Sequence, residues 1–359
     1  MTLTLSRRRK AAYGAVAVVL ALALCGGAVL AADVYLHRRV QNLAGVNVWG
    51  YRGPTVGRKA PGEVRVVVLG GSTAFGYGLP WDEGFPYYLE RNLRARASSG
   101  QQYSVVNLGA PGQGAYGFLF DLADYAYLQY DVAIFYEGYN DLGSRDLPEA
   151  VPERTGPNDL LWRRQSPVFR ATGYFPILPL VFHEKAMALR SGGDLDAAYR
   201  GRTRFTPGLA TRATASALDA AAAVADRVGS QLGRLSGNPE RLDSASTGDV
   251  ETWRHYVSCV TRAVEYARRH DVKVIVVSQP YGSDTHVRQQ RALAAALGDR
   301  FGADPGVDYV NLGSLLNIRD RRIAYDGLHL VAEANAVVAA HLVQPVLDVV
   351  GRARPSRSS

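Results

Sequence analysis

The hydrophobic pattern changes character three times along the chain. Ala11 to Ala32 is a run of 22 residues without a charge. About 20 apolar residues suffice for a helix to cross the hydrocarbon core of a bilayer. From Val64 onward the apolar residues come instead in short β-branched runs. These are Val64–Leu69, Val105–Leu108, Val132–Tyr136, Val272–Ser278 and Val307–Leu312. Continuous apolar runs of this length suit strands covered on both faces, as in a parallel sheet. Between them apolar residues recur at helical spacing over Phe85–Ala97, Tyr116–Leu128, Thr252–Arg269, Thr285–Leu297 and Val331–Val350. Alternating strands and helices predict an α/β fold of three layers, α/β/α, around a parallel sheet of about five strands, flavodoxin-like in outline.

Two intervals depart from this alternation. Residues 33–62 precede the first strand, and the polar, Gly- and Pro-containing stretch Asn42–Gly62 predicts a stalk. Residues 141–250 separate the third and fourth strands, far more than one crossover needs, and predict an insert. The insert holds a helical stretch, Ala210–Leu235, and the apolar run Tyr174–Phe182, which is too short to span a membrane. That run is expected to pack within the insert; the alternative is a lid or acyl-binding wall. The domain plan is therefore a basic tail over 1–10, a membrane segment over 11–32, a stalk over 33–62, a domain over 63–351 with its insert, and a basic tail over 352–359.

Charge sharpens the reading of the ends. The chain of 359 residues carries a net charge of +8. Residues 1–39 hold six basic groups and one acidic group, and the last eight residues add Arg352, Arg354 and Arg357. Removing these from the 41 basic and 33 acidic side chains leaves 32 of each in residues 40–351. The body is neutral, so no nucleic-acid partner is expected. Arg7-Arg8-Arg9-Lys10 before the apolar run places that end in the cytoplasm and the body outside. A cleaved signal peptide would export the body too, but its apolar core is usually shorter. Cys25 and Cys259 are the only cysteines. They exclude a disulfide scaffold, and Cys259 is expected as a buried small hydrophobe.

Four short motifs follow the expected strands, where such a fold binds its ligands. They are Gly70-Gly71-Ser72-Thr73, Asn107-Leu108-Gly109-Ala110-Pro111-Gly112, Gly138-Tyr139-Asn140-Asp141 and Asp326-Gly327-Leu328-His329. Each alone is commonplace as a turn or a cap. Asp326 can hold an imidazole Nδ1–H three residues on and leave Nε2 as a base. Asn140 carries two N–H donors. Gly109 lets a backbone N–H approach a ligand closely. His183 and Glu184 lack a metal-ligand pattern, His255 and His270 read as structural, and no metal or cofactor is expected.

The order Gly-Ser, Gly, Gly-x-Asn, Asp-x-x-His resembles the SGNH/GDSL hydrolase superfamily, in outline over residues 64–350. The resemblance implies Ser72 as nucleophile, His329 as general base and Asp326 as its orienting acid. It implies an oxyanion hole of the Ser72 N–H, the Gly109 N–H and the Asn140 side chain. In the first block Gly71 replaces the usual Asp, as in many exported bacterial members. The stretch Asn47-x-x-Gly-x-Arg52-Gly also looks like those members. The implied activity is a membrane-anchored serine esterase acting on O-acyl esters of a glycan, a lipid or a small alcohol. An O-acyltransferase to a polysaccharide hydroxyl and a non-catalytic glycan-binding or assembly protein are the alternatives. A nucleotide-binding flavodoxin-like domain is disfavoured, because the first turn lacks both phosphate-binding spacings.

Overall fold

The computed structural model describes residues 6–97, 100–144, 164, 167–193, 206–235 and 251–352. Five parallel strands form one sheet: β1 (Glu63–Gly70), β2 (Gln102–Asn107), β3 (Val132–Tyr136), β4 (Lys273–Ser278) and β5 (Val307–Asn311). Their spatial order is β2-β1-β3-β4-β5. This is the flavodoxin-like order, and its strand order reverses beside β1, where such folds open a crevice at the carboxyl ends. Each expected strand is present, and the ends shift by at most three residues.

The helices number α1 (Arg7–Ala44), α2 (Ser72–Phe75), α3 (Phe85–Arg96), α4 (Phe118–Asp124), α5 (Pro167–Thr172), α6 (Leu178–Ser191), α7 (Leu209–Leu235), α8 (Arg254–Arg269), α9 (Asp284–Phe301) and α10 (Ala332–Gly351). The expected helix over Tyr116–Leu128 is shorter. Only Phe118–Asp124 is α-helical, with single 3₁₀ turns on either side.

Alternation along the strands sends side chains to both layers. Val66, Val68, Ile134, Tyr136, Ile275 and Val277 share a core with Phe85, Leu89 and Leu93 of α3 and with Val338, Leu342 and Val346 of α10. The intervening strand residues face the other way, and there Phe118 of α4 meets Phe135 at a ring distance of 4.8 Å. Burying side chains of this size contributes roughly 1.5–3 kcal/mol each. Asn335 of α10 is buried and its Oδ1 accepts the Phe85 N–H at 3.1 Å, which ties α10 to the start of α3.

Two compact units are distinguished: residues 1–42 with 176–227, and residues 43–175 with 228–359. In the first unit, α1 is the N-terminal helix. An 18-residue window within its Arg7–Arg39 stretch has a mean hydropathy of 2.6, and the helix is long and apolar enough to cross a membrane. The sequence places the end of the membrane segment at Ala32 and a stalk after it, whereas α1 continues to Ala44. Asp33 and His37 are buried on it, and the Asp33 carboxylate accepts the N–H groups of Ile177 (3.0 Å) and Leu178 (2.6 Å) at the start of α6. The Pro176–Phe182 part of the apolar run thus packs within this unit, with Ile177 buried. Asp219 of α7 pairs with His183 and Arg190 of α6. The remaining insert residues, 145–163, 165–166, 194–205 and 236–250, and the tail from 353 lie outside the described residues.

In the second unit the rest of the expected stalk is folded onto the sheet domain. Asn47, Tyr51 and Arg52 are buried. Asn47 closes a turn by donating to the Gly53 carbonyl and accepting the Trp49 N–H, both at 2.9 Å. Arg52 then bridges to the edge strand, its N–H donating to Asn107 O at 2.9 Å. Cys259 is buried on α8 and both cysteines are free.

One buried imidazole sets an expected pH dependence of stability. His286 of α9 is fully buried, packed against the rings of Tyr139 and Tyr281. Burial pushes its pKa down to about 4. The unfolded chain, with an ordinary imidazole near 6.5, therefore binds more protons between those values. Stability is complete above pH 6.5 and falls as pH drops toward 4, by about 3 kcal/mol at most. The thermal midpoint should decline over that range in the wild type and decline less in His286→Gln. Equal slopes in both would exclude this ring as the cause.

Candidate active site

The four motifs meet at the carboxyl edge of the sheet. Ser72 opens α2 directly after β1, and Gly71 enters the helix with extended backbone (φ −84°, ψ −151°). The N–H groups of a first helical turn have no intrahelical partner, so the Ser72 N–H is left without a helical acceptor. The loop over 108–114 follows β2, that over 137–141 follows β3, and 312–330 follows β5.

Ser72, His329 and Asp326 form a continuous hydrogen-bonded chain. The Ser72 Oγ lies 2.8 Å from His329 Nε2, and His329 Nδ1 lies 2.6 Å from Asp326 Oδ2. With Asp326 as the acceptor at Nδ1, that nitrogen carries the proton and Nε2 is left to accept from Ser72. Asp326 Oδ1 also accepts the N–H groups of Leu328 (2.9 Å) and His329 (2.7 Å), so one carboxylate shapes the loop and holds the ring. Partial burial raises the Asp326 pKa, but these hydrogen bonds outweigh it and hold the group below the ordinary carboxylate range. The His329 ring packs against Tyr325, nearly parallel to it at 5.9 Å, and against Tyr77 at 5.2 Å. The Tyr325 hydroxyl donates to Tyr77 O at 2.9 Å, which fastens the histidine loop to the turn behind Ser72.

Asn140 reaches the same place from β3. Its Nδ2 donates to Gln113 O at 2.8 Å and to Glu137 Oε2 at 3.3 Å. Gln113 and Glu137 both border Gly71. Asn140 therefore lies beside Gly71, the residue before Ser72, with one short and one long hydrogen bond.

Gly109 is a correction. It is buried, and its N–H donates to Asn107 Oδ1 at 3.0 Å rather than toward Ser72. A side chain there would strike the α2 backbone at Ala74 and Phe75, so this glycine serves close packing. Three residues on, Gly112 is exposed with φ +76° and open space where a side chain would stand. The carbonyl of its neighbour Gln113 touches Asn140, so Gly112 belongs to the rim of the site. Both glycines lie in one sequence block, and only the backbone conformation separates them.

The Asn47–Gly53 stretch acquires a role here. The Arg52 guanidinium is buried and donates to the carbonyls of Phe75, Gly76 (2.7 Å) and Leu79, where α2 ends. It lies 4.2 Å from the centre of the Phe75 ring. Burial lowers its pKa to about 10, opposed by the Asp82 charge, and it stays a cation at neutral pH. Carbonyls at a helix end lack intrahelical partners. Arg52 and the Asn107 amide, which donates to Ala74 O at 3.1 Å, supply those partners and fix the turn that carries Ser72 from behind.

No family model matches the chain, and no curated protein matches it. Solved structures do. A G-D-S-L family protein from Desulfitobacterium hafniense DCB-2 is 11% identical with a TM-score of 0.40, covering 78% of this chain and 98% of its own. The family 3 carbohydrate esterase of Clostridium thermocellum is 12% identical with a TM-score of 0.41, covering 80% and 97%. The esterase EstA from Pseudoalteromonas sp. is 11% identical with a TM-score of 0.42, covering 80% and 99%. Similarity at this level leaves the function to the geometry of the site itself.

Proposed function

We propose that this chain is a serine esterase of the SGNH type, cleaving O-acyl esters through an acyl-enzyme on Ser72. The observation that carries the reading is the Ser72–His329–Asp326 chain, with contacts of 2.8 and 2.6 Å. Ester cleavage needs a nucleophile stronger than a free hydroxyl. His329 Nε2 takes the Ser72 proton as Oγ attacks the acyl carbon, and Asp326 stabilises the imidazolium that forms. The C–O bond to the alcohol then breaks, and the leaving oxygen receives the proton back from Nε2. Water repeats the sequence on the acyl-enzyme, releasing the acid and restoring Ser72.

The tetrahedral oxyanion needs preset donors. The Ser72 N–H and the Asn140 amide supply two. The third, given to Gly109 by the resemblance, passes in this reading to the exposed Gly112, whose N–H belongs to the loop beside Asn140. Asn140 can turn a proton to the oxyanion because its contact to Glu137 is long, at 3.3 Å. The α1 helix is read as an uncleaved anchor with its basic end in the cytoplasm, so that the esterase works outside the membrane.

Hydrolysis of 4-nitrophenyl acetate by the detergent-solubilised protein tests the reading. Asn140→Ala should lower kcat by about 10²–10³-fold while KM changes little, because the donor acts mainly in the transition state. A raised KM at unchanged kcat would assign Asn140 to substrate binding and remove it from the oxyanion hole.

A further inference from the structure

Gly71 stands where the first block of the resembled superfamily carries an aspartate, directly before the nucleophile. The space beside Gly71 is filled. A methyl group built on it would overlap Glu137 Oε2 and Asn140 Nδ2 and would sit 2.9 Å from Gln113 O. Glu137 follows β3 and is 3% exposed. Its Oε2 accepts the Gly71 N–H at 2.6 Å and the Asn140 side-chain amide at 3.3 Å. Its Oε1 accepts the N–H groups of Gly138 (2.9 Å) and Asn140 (3.0 Å). All four partners are N–H donors, so the carboxyl acts purely as an acceptor.

We infer that Glu137 is the positioning residue of this active site, supplying from β3 the carboxylate that Gly71 lacks and thereby fixing both the backbone before Ser72 and, through the Asn140 backbone N–H, the turn that carries the Asn140 oxyanion donor. The inference rests on Ser72 as the nucleophile. One carboxylate holds two parts of the machinery that arrive on different strands: the turn after β1 and the turn after β3. Behind it, the Glu137 backbone carbonyl accepts the Tyr256 hydroxyl at 3.0 Å, and that hydroxyl accepts from Gln290 at 3.0 Å. The residue is thus clamped from α8 and α9, and its head cannot drift from Gly71. Burial first, then the nearby Asp141 carboxyl, hold the Glu137 pKa above the ordinary carboxylate range; the N–H groups of Gly138, Asn140 and Gly71 favour the ionised form and offset only part of that rise. Such a site retains an acidic group only if the surroundings over-determine it, as these four donors do.

The test uses the full-length protein in detergent with 4-nitrophenyl acetate. Glu137→Gln turns N–H groups toward N–H groups, and Glu137→Asp withdraws the carboxylate by one methylene. Each should lower kcat by about 10²-fold at nearly unchanged KM, since sub-ångström misplacement of reacting groups is costly. A merely structural role would lower the thermal midpoint and leave kcat per active site as in the wild type. If one of the two variants fails to fold, the other still tests the inference. Gly71→Asp alone should be inactive, because two carboxylates then compete for one volume. Gly71→Asp combined with Glu137→Ala restores a Gly-Asp-Ser block and should exceed Gly71→Asp alone. Wild-type kcat in the folded Gln and Asp variants, or a double variant no better than Gly71→Asp, overturns the inference. Ser72→Ala serves as the reference: if it retains hydrolysis, the nucleophile reading falls, whereas a dead Ser72→Ala beside an unimpaired Glu137→Gln removes Glu137 alone.

Discussion

Ser72→Ala is expected to abolish ester turnover, by at least ~10⁴-fold, while the protein keeps its fold. The Ser72 Oγ bonds only to His329 among the described contacts, and it is partly exposed at the head of α2. Alanine is a good helix former, and a surface change of this kind usually moves stability by no more than about 0.5 kcal/mol. Activity and stability should therefore separate cleanly in this variant. Thermal melting and turnover on the same preparation check it. An unchanged midpoint with no turnover is the expected pair; retained turnover would move the nucleophile elsewhere.

His329→Ala should be comparably severe, roughly 10⁴-fold or more in kcat, because members of such a chain act as a unit. Without Nε2 at 2.8 Å, the Ser72 proton has no acceptor and the leaving alcohol no donor. Asp326→Ala should cost less than His329→Ala. The ring would lose its Nδ1 partner, but Tyr325 and Tyr77 still flank it and limit its rotation. Steady-state kinetics on both variants rank the two effects. Equal losses would mean that the carboxylate, and not the aromatic pair, sets the ring orientation. Full activity in His329→Ala would remove it as the base.

The sheet was legible because its central strands are buried on both faces. Val66 to Leu69, Val132 to Tyr136 and Val274 to Val277 read as unbroken apolar runs for that reason. The candidate trio Ser72, His329 and Asp326, which the structure brings together, was legible because short motifs at strand ends survive without knowledge of their partners. What escaped depends on partners distant in sequence. Glu137 carries no signal in the sequence; its role depends on Gly71, 66 residues earlier, lying against it. Arg52 reads as a stalk charge, yet its acceptors are carbonyls 23 to 27 residues later. Asp33 reads as a stray acid after a membrane segment, and its partners Ile177 and Leu178 lie 144 and 145 residues on.

The two glycines of the second block show a different limit. Gly109 and Gly112 have the same composition signal and nearly the same neighbours. The side chain of Asn107 captures the Gly109 N–H, while Gly112 is exposed, with a positive φ and open space where a side chain would stand. No periodicity encodes that choice. It follows from the packing of the loop on α2, where a side chain at Gly109 would collide with backbone. At the N-terminus the apolar run ends at Ala32, but the helix continues past Asp33, Arg38 and Arg39 to Ala44, because helical hydrogen bonding does not require apolar side chains.

The central claim is that Ser72 is an activated nucleophile, and covalent capture tests it most directly. The detergent-solubilised protein is treated with a fluorophosphonate, digested, and the adduct mapped by mass spectrometry. The account predicts one modified residue, Ser72, with labelling lost in His329→Ala and slowed in Glu137→Gln. A well-folded protein that takes no adduct, or takes one at another serine, would contradict it.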